Sequence, residues 1–344
     1  MKRIASSWVA LLLFTAAPFA QAANVWTVTA TGSGGVCTAN STTDPNCTLD
    51  AAIYTAANGD TVRFASNVQG QTICGTYPNG TYQNTPPSVS IDGAPNGVKL
   101  DSCGAGPIFA FDSGTLALSH LTLQNSPNDA IYNSGANVTV DSCTFAGNSA
   151  SGSAPNGGAV AQVGGSVFII NSTFAGNSAS GNGGAIYASG NVVISNSTIS
   201  ANHAPIGGGI GGYGFTIMSS IVAGNSATTS SPDVYGFSSA VSLGYNIVGN
   251  SSGSGLTATA GDQFGVDPLL AATGLTNNGG ATQTVALQSL SPARSGGNCA
   301  GNASNPAIPA VTLDQRGYTR TSAGAIGCSV GAFDLTSIFY NGFE

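Results

Sequence analysis

Two columns of apolar residues recur at intervals of 22 to 29 residues and predict an all-β fold, a single-stranded right-handed parallel β-helix. The first column is Leu123, Phe145, Phe174, Ile199 and Val222, and the second is Ile131, Val160, Ile186, Ile210 and Val234. Around these positions apolar residues alternate with others, which is the period of a strand with one buried face. One strand cannot fill such an interval, whereas two or three short strands joined by turns form one coil that stacks on the next. We expect the repeated coils over residues 116–250.

The first 22 residues have the pattern of a secretory signal peptide. A basic start at Lys2 and Arg3 precedes an apolar run from Trp8 to Phe19, and Ala20-Gln21-Ala22 suits signal peptidase. The run is short for a transmembrane anchor. We therefore expect cleavage after Ala22 and a secreted or outer-surface protein without a transmembrane anchor.

The charge that remains after such cleavage argues against nucleic acid as a partner. Loss of Lys2 and Arg3 leaves five basic residues against 14 acidic ones, a net charge of −9. Five cations scattered over some three hundred residues cannot form a stripe that follows phosphates. An anionic membrane surface is disfavoured for the same reason.

Residues 23–115 are expected to form an N-terminal cap and the first coils. Thr48 to Ala57 is the one convincing helix, because Thr48 suits an N-cap and Leu49, Ala52 and Ile53 share a face. The exposed end of a parallel solenoid must be covered, so this helix is predicted to be the lid.

The turns of the predicted coils carry two recurring signals. Gly-Gly pairs precede the second column, where a positive φ or a close approach would exclude a side chain. Asparagine recurs just after the first column, where it suits a turn and where stacked amides could hydrogen-bond along the axis. These asparagines are Asn148, Asn177, Asn202 and Asn225.

Seven cysteines accompany the export signal. Spacing cannot fix their connectivity, but pairing neighbours gives Cys37–Cys47, Cys74–Cys103 and Cys299–Cys328. Cys143 is left over and aligns with Ser172, Ser197 and Ser220. A thiol at such an inward position is expected to pack as a small apolar side chain and to be unreactive.

The N-terminal cap resembles a motif that heads many large bacterial surface proteins with β-helix folds. The motif is written C-S-L-R-E-A-I…G-D-T-I-x-F, and the matching residues run from Cys47 to Ile53 and from Ala57 to Phe64. Asp50 and Ala51 stand where the motif has Arg and Glu. A helical lid survives those changes, but an ion pair of the Arg and Glu would not.

The C-terminal half resembles the choice-of-anchor Q domain. Seven short motifs follow that family in order: 233–236, 243–249, 266–270, 278–284, 291–293, 314–317 and 326–333. The resemblance implies a pectin-lyase-like right-handed β-helix, secreted or surface-displayed and usually without assigned catalysis. Arg294-Ser295 replace the family's usual Ile-Asp, so a polar contact of that region is in doubt. We expect C-terminal coils and a cap over residues 251–336 and a tail over residues 337–344.

The sequence offers no catalytic residue that we would assign. Residues 116–250 contain no Lys or Arg, and Asp129, Asp141 and Asp233 lie at non-equivalent repeat positions. No column is expected to supply the two carboxylates that glycoside hydrolysis needs. His120 and His203 lie on separate coils and are expected to face solvent. Asp314 and Arg316 are interpreted as a structural ion pair.

The sequence likewise indicates no metal site and no cofactor. Calcium is conceivable on this architecture but is not indicated, because the acidic residues do not cluster along the sequence.

Three tyrosines form the one surface feature that suggests binding. Tyr132, Tyr187 and Tyr235 each follow an inward residue of the second column, so they should point outward on every second coil. Coils stack about 4.8 Å apart, which places the rings roughly 10 Å apart along one face. Such a ladder could stack on sugar rings, or each ring could simply cover the loop of its neighbouring coil.

Three functions fit these observations. The leading one is a non-enzymatic protein that binds or adheres to polysaccharides or surface glycans. The alternative is a polysaccharide lyase or glycoside hydrolase of the pectin-lyase-like superfamily, and the third is a structural envelope or spacer protein.

Overall fold

A computed structural model describes residues 23–77, 88–151, 155–237, 239–303, 305, 308–320 and 326–335. The predicted signal peptide and the C-terminal tail lie outside the described residues. The chain is an all-β right-handed β-solenoid of about seven turns, as the sequence predicts. In the described residues one short helix, α1, accompanies the strands.

The N-terminal part contains the helix and eight strands. Helix α1 spans Leu49–Thr55. The strands are β1 Val25–Val28, β2 Asp60–Phe64, β3 Thr72–Cys74, β4 Val89–Asp92, β5 Val98–Asp101, β6 Phe109–Phe111, β7 Thr115–Ser119 and β8 Leu121–Gln124.

The repeated coils contain the next seventeen strands. They are β9 Ile131–Asp141, β10 Thr144–Ala146, β11 Ser149–Ala150, β12 Val160–Ile170, β13 Thr173–Ala175, β14 Ser178–Ala179, β15 Ile186–Ala188, β16 Asn191–Ser195, β17 Thr198–Ser200, β18 His203–Ile206, β19 Ile210–Gly212, β20 Phe215–Met218, β21 Ile221–Ala223, β22 Ser226–Ser230, β23 Val234–Gly236, β24 Val241–Ser242 and β25 Ile247–Val248.

Five strands follow in the C-terminal region. They are β26 Gln263–Phe264, β27 Leu270–Thr276, β28 Thr284–Leu287, β29 Gly297–Asn298 and β30 Ile326–Cys328. Strand β26 continues the parallel stack, whereas β27 pairs with β28 and β29 with β30 in antiparallel ribbons.

Three parallel sheets wrap the coil axis. The first sheet has 13 strands and includes β9 and β12, the second has nine and includes β10 and β13, and the third has four, β11, β14, β18 and β22. Both predicted apolar columns are confirmed by the register, for example Phe145 beside Phe174 and Val160 beside Ile186. The rings of Phe145 and Phe174 stack 4.5 Å apart in the core.

One residue per coil turns the chain from the first sheet into the second. This corner residue adopts a left-handed backbone, with φ between 47° and 54° at His120, Ser142, Asn171, Asn196 and Ser219. Asparagine tolerates this conformation better than most residues, which accounts for its use at two corners. Gly157 and Gly183, from the predicted Gly-Gly turns, also have positive φ.

The recurring asparagines form a buried hydrogen-bonded ladder, as predicted, but without left-handed backbone. Asn148 donates its amide to Asn177 at 2.9 Å, Asn177 to Asn202 at 2.9 Å and Asn202 to Asn225 at 2.8 Å. Asn225 donates to the Asp233 carboxylate at 2.8 Å, which ends the ladder. The left-handed residue is instead the one before, such as Gly147.

Helix α1 is shorter than the predicted 48–57 and packs against β1 and β2, the first strands of the stack. Thr48 is the N-cap residue, but its side chain makes no capping bond and instead accepts a hydrogen bond from the Gly35 N–H at 3.0 Å. Past the helix, the buried Asp60 carboxylate accepts hydrogen bonds from the Ala57 N–H, the Trp26 indole and the Asn24 N–H. Burial acts to raise the pKa of Asp60, yet these hydrogen bonds bring it below the ordinary 3.8. Asp60 thus ties the lid to the first coil.

The three cysteine pairs are disulfides as predicted, Cys37–Cys47, Cys74–Cys103 and Cys299–Cys328. Cys143 is free and fully buried in the core. Its N–H donates to the Ser172 hydroxyl at 3.1 Å, in line with its predicted place in the serine column.

The region expected to form C-terminal coils and a cap contributes one further coil strand, β26, and then departs from the stack. The described residues within 270–335, which we call the flanking segment, lie along the outside of the second sheet. Thr144 donates to the Gln283 carbonyl, and Thr173 donates to the Gln315 side chain at 2.5 Å. Residues 139 to 142 positions apart in sequence meet here, so the repeat pattern could not reveal this packing.

Candidate functional site

The faces of the solenoid differ in how they meet solvent. The flanking segment covers the second sheet, and its Ile308 also packs on Val193 and Met218 of the first sheet. The third sheet presents small polar side chains, with Ser149 and Ser178 joined at 3.0 Å. The arm of the first sheet that begins at the second apolar column carries partly exposed side chains, and the turns at Gly157 and Gly183 pack beside it.

The three predicted tyrosines lie on this arm in one column. Tyr132 stands beside Ala161, Ala161 beside Tyr187, Tyr187 beside Gly211, and Gly211 beside Tyr235. The tyrosines therefore occupy every second coil, at roughly 10 Å intervals. They are half-buried, whereas Ala161 and Gly211 are buried, so the column presents only its tyrosines to solvent.

Two more aromatic residues, which the sequence interpretation missed, extend this face. Tyr213 is 49% and Phe237 is 55% exposed, and their ring centroids lie 4.9 Å apart. Phe237 also meets Tyr235 edge-on at 6.1 Å. Tyr213 lies two residues after Gly211, and Phe237 lies two residues after Tyr235, both of which belong to the tyrosine column. This shared spacing in the sequence could have revealed them. We call Tyr132, Tyr187, Tyr213, Tyr235 and Phe237 the aromatic surface.

The aromatic surface is poor in charge. No Lys or Arg occurs between Lys99 and Arg294, so the coils that carry it have no cation of their own. Burial raises the pKa of Tyr187, and the neighbouring Tyr213 raises it further. The Tyr187 phenol therefore stays neutral and can donate a hydrogen bond. Flat, uncharged rings with hydroxyl tips suit a ligand that has both an apolar face and hydroxyl groups.

A second cluster lies in the first sheet at the C-terminal ends of strands β4, β7 and β9. Asp92, Ser119 and Asp141 are in register on three successive coils. The expectation that no column supplies two carboxylates is therefore wrong, because the coil that contains Asp92 precedes the recognisable repeats. Asp92 and Asp141 lie about 10 Å apart along the column. We call Asp92, Ser119, His120 and Asp141 the polar column.

His120 belongs to this cluster rather than facing solvent freely as predicted. Its Nδ1 lies 2.8 Å from an Asp92 carboxylate oxygen, and the Ser119 hydroxyl donates to the same oxygen at 3.0 Å. His120 occupies a left-handed corner, and its ring reaches Asp92 on the preceding coil. His203, by contrast, is exposed and contacts the Ser226 hydroxyl at 2.9 Å.

The two carboxyl groups of the polar column differ in acidity. The hydrogen bond from His120 is the main cause that lowers the pKa of Asp92 from 3.8 to about 2. Asp92 in turn raises the pKa of His120. Burial raises the pKa of Asp141, whose oxygen accepts a hydrogen bond from Ser142 at 2.9 Å. One carboxylate is thus held ionised and the other is shifted toward its neutral form.

Comparison with known proteins gives one family. The family described as right handed beta helix region matches residues 90–267, which is more than half of the chain. The chain belongs to this right-handed β-helix family. No curated protein and no solved structure matches the chain.

The part that matches the right-handed β-helix family contains the aromatic surface and the polar column. Helix α1 and the flanking segment lie outside it. In that segment Arg316 and Asp314 form a buried ion pair at 2.5 Å, and the Arg316 guanidinium lies 3.7 Å from the centre of the Phe333 ring. The predicted ion pair of Asp314 and Arg316 is therefore present and buried.

Other acidic residues of the right-handed β-helix do not join either site. Asp233 ends the asparagine ladder, and burial raises the pKa of Asp129 to about 8. Among the residues that the structure describes, no three His, Cys, Asp or Glu side chains are placed to hold a metal ion. No helix in the described part of the chain is long and apolar enough to cross a membrane.

Proposed function

We propose that this protein is an exported, non-enzymatic β-helix that binds glycans through the aromatic surface. The observation that carries the proposal is the column of Tyr132, Tyr187 and Tyr235 on alternate coils, with only Ala161 and Gly211 between them. Sugar rings have an apolar face that stacks on aromatic rings, and their hydroxyl groups suit the phenol tips. The three tyrosines keep part of their surface accessible to solvent, which a stacking contact needs.

Export is supported by the N-terminal pattern and by three disulfides, which persist in oxidising compartments. The motif around Cys47 to Phe64 and the seven C-terminal motifs place the chain, in our proposal, among choice-of-anchor Q domain proteins. Such proteins are secreted or displayed at the surface, which fits a glycan-binding role.

A glycan panel tests the binding proposal. The native protein and a triple variant, Tyr132→Ala, Tyr187→Ala and Tyr235→Ala, are compared by binding to immobilised polysaccharides. We expect the triple variant to lose binding, whereas Tyr54→Ala, a change of the 90% exposed tyrosine on helix α1, should bind like the native protein. Equal binding by the triple variant and the native protein would reject the proposal.

One observation favours a second function, hydrolysis of a polysaccharide. Asp92 and Asp141 lie two coils apart, so their backbone positions are separated by about 10 Å. This spacing is close to the roughly 6.5–9.5 Å between the carboxyl groups of inverting glycosidases. Their opposite pKa shifts suit a base and an acid, respectively. Incubation with the same panel, with and without calcium, would reveal new reducing ends or unsaturated products. Turnover that disappears in both Asp92→Asn and Asp141→Asn would favour this function over binding alone.

A further inference from the structure

We propose that the aromatic surface selects a neutral β-1,4-linked hexose chain that lies along the solenoid axis, with one tyrosine under every second sugar. This inference rests on the proposed glycan binding and adds the linkage, the charge and the direction of the ligand. The ligand class is a flat, extended β-1,4-linked chain, and its sugars can be either unmodified or N-acetylated.

The linkage follows from the period of the column. Alternate coils place Tyr132, Tyr187 and Tyr235 in one register column along the stack, at roughly 10 Å intervals. In a β-1,4-linked chain each sugar is turned over relative to the next, so the same face recurs at every second residue, at about the same interval. An α-1,4-linked chain curves into a helix and would leave such a line after one contact.

The residues between the tyrosines fit the same arrangement. The Ala161 methyl group is buried and Gly211 has no side chain, so neither coil projects a side chain toward the intervening sugars. A bulky residue on either coil would raise a ridge under the chain. At Gly211 an added Cβ would lie 2.6 Å from the Gly183 nitrogen, so the backbone itself keeps this coil small.

Charge excludes the anionic alternative. The coils that carry the aromatic surface contain no Lys or Arg, and the mature chain has a net charge of −9. A uronate chain would meet no counter-charge there and would be repelled by the protein as a whole. A neutral chain has no such penalty.

The length of the column sets the length of the ligand. Four coil steps separate Tyr132 from Tyr235, which is about 19 Å. Three stacking positions on alternate sugars then correspond to a pentasaccharide. Tyr213 and Phe237 pack on each other and Phe237 on Tyr235, so they orient the last ring at this end.

Calorimetry with oligosaccharides of defined length tests this inference. The probes are cello- and chito-oligosaccharides of two to six sugars, with maltohexaose and a hexamer of galacturonate as comparisons. We expect affinity to rise at three and at five sugars and then to level off. Tyr187→Ala should weaken pentasaccharide binding about tenfold, the size of one aromatic contact. Tyr54→Ala should leave it unchanged.

The possible results distinguish this inference from the proposal of glycan binding on which it rests. A preference for maltohexaose or galacturonate that the tyrosine variants abolish would overturn the inference and keep glycan binding. Affinity that levels off at two sugars would also overturn the inference. If the tyrosine variants bind every probe as well as the native protein, both are rejected.

Discussion

At the scale of single residues, the asparagine ladder is the feature of the core that depends most on complete hydrogen bonding. The Asn177 side-chain oxygen accepts from both the backbone N–H and the side-chain amide of Asn148, at 3.1 and 2.9 Å. Its own amide donates to Asn202 and to the Phe145 carbonyl. All four groups are buried, and water cannot replace a lost partner there.

Replacing Asn177 by Ala should therefore lower the free energy of unfolding by about 3 kcal/mol, since two donors and two acceptors lose a partner. Urea unfolding measures the loss. Asn191→Ala is the matched control, because the exposed Asn191 amide donates only to the Ser166 hydroxyl at 3.1 Å, and its effect should stay within about 0.5 kcal/mol. Similar losses in both variants would contradict a structural role for the ladder.

The pairing of His120 with Asp92 gives stability a dependence on pH. The lowered pKa of Asp92 adds stability that is complete above its ordinary 3.8 and is lost as the pH falls toward about 2. The raised pKa of His120 adds stability that is complete below its ordinary 6.5 and is lost as the pH rises past the raised value. Both contributions are complete only between these two ordinary values.

We expect the stability difference between the native protein and His120→Asn to be largest from about pH 4 to pH 6.5. Asparagine keeps the left-handed corner, as it does at Asn171 and Asn196. Because the His120 side chain is 36% exposed, the difference should not exceed about 1 kcal/mol. Urea midpoints over a pH series measure it. A difference that does not change with pH would argue against the ion pair.

At the scale of elements, Arg320 holds the flanking segment to the coils. Its buried guanidinium donates to the Asn171 side chain at 2.8 Å and to the carbonyls of Leu313, Ser329 and Gly331. Four acceptors from the corner of one coil and from the flanking segment thus converge on one side chain.

Arg320→Met should leave these acceptors without donors and cost at least about 3 kcal/mol, concentrated in the flanking segment. Limited proteolysis followed by mass spectrometry should show faster cleavage within residues 270–335 while the coils stay intact. Arg294→Met is the control, since Arg294 is exposed and donates to the nearby Ser289 carbonyl. Unchanged cleavage of the Arg320 variant would reject this role.

The sequence predicted those elements whose signal repeats at a fixed interval. Columns such as Phe145 with Phe174 could be read directly, because each coil must present the same inward position to its neighbour. Asp92 was missed because its coil lacks the Phe and Asn markers that align the later ones. The packing of Gln315 on Thr173 could not be foreseen, since one specific fold-back rather than a repeat brings them together.

At the scale of the whole molecule, the disulfides are unevenly placed. Cys37–Cys47 and Cys74–Cys103 lie in the N-terminal part, and Cys299–Cys328 lies in the flanking segment. The repeated coils contain only the free, buried Cys143. Stacked coils share one continuous core and stabilise each other. An end has a coil neighbour on one side only, so we expect the two ends to depend more on cross-links.

Reduction should therefore loosen the ends before the coils open, and Cys143 can report on the order. With a reductant and an alkylating agent present in the native buffer, we expect the six cysteines of the disulfides to be modified before Cys143. Cys143 is inaccessible, and burial raises the pKa of its thiol, so it reacts only when its coil opens. Mass spectrometry of peptides over time gives each rate, and Asn177→Ala, by weakening the coils, should speed modification of Cys143 selectively. Modification of all seven cysteines at one rate would instead show that ends and coils unfold as a single unit.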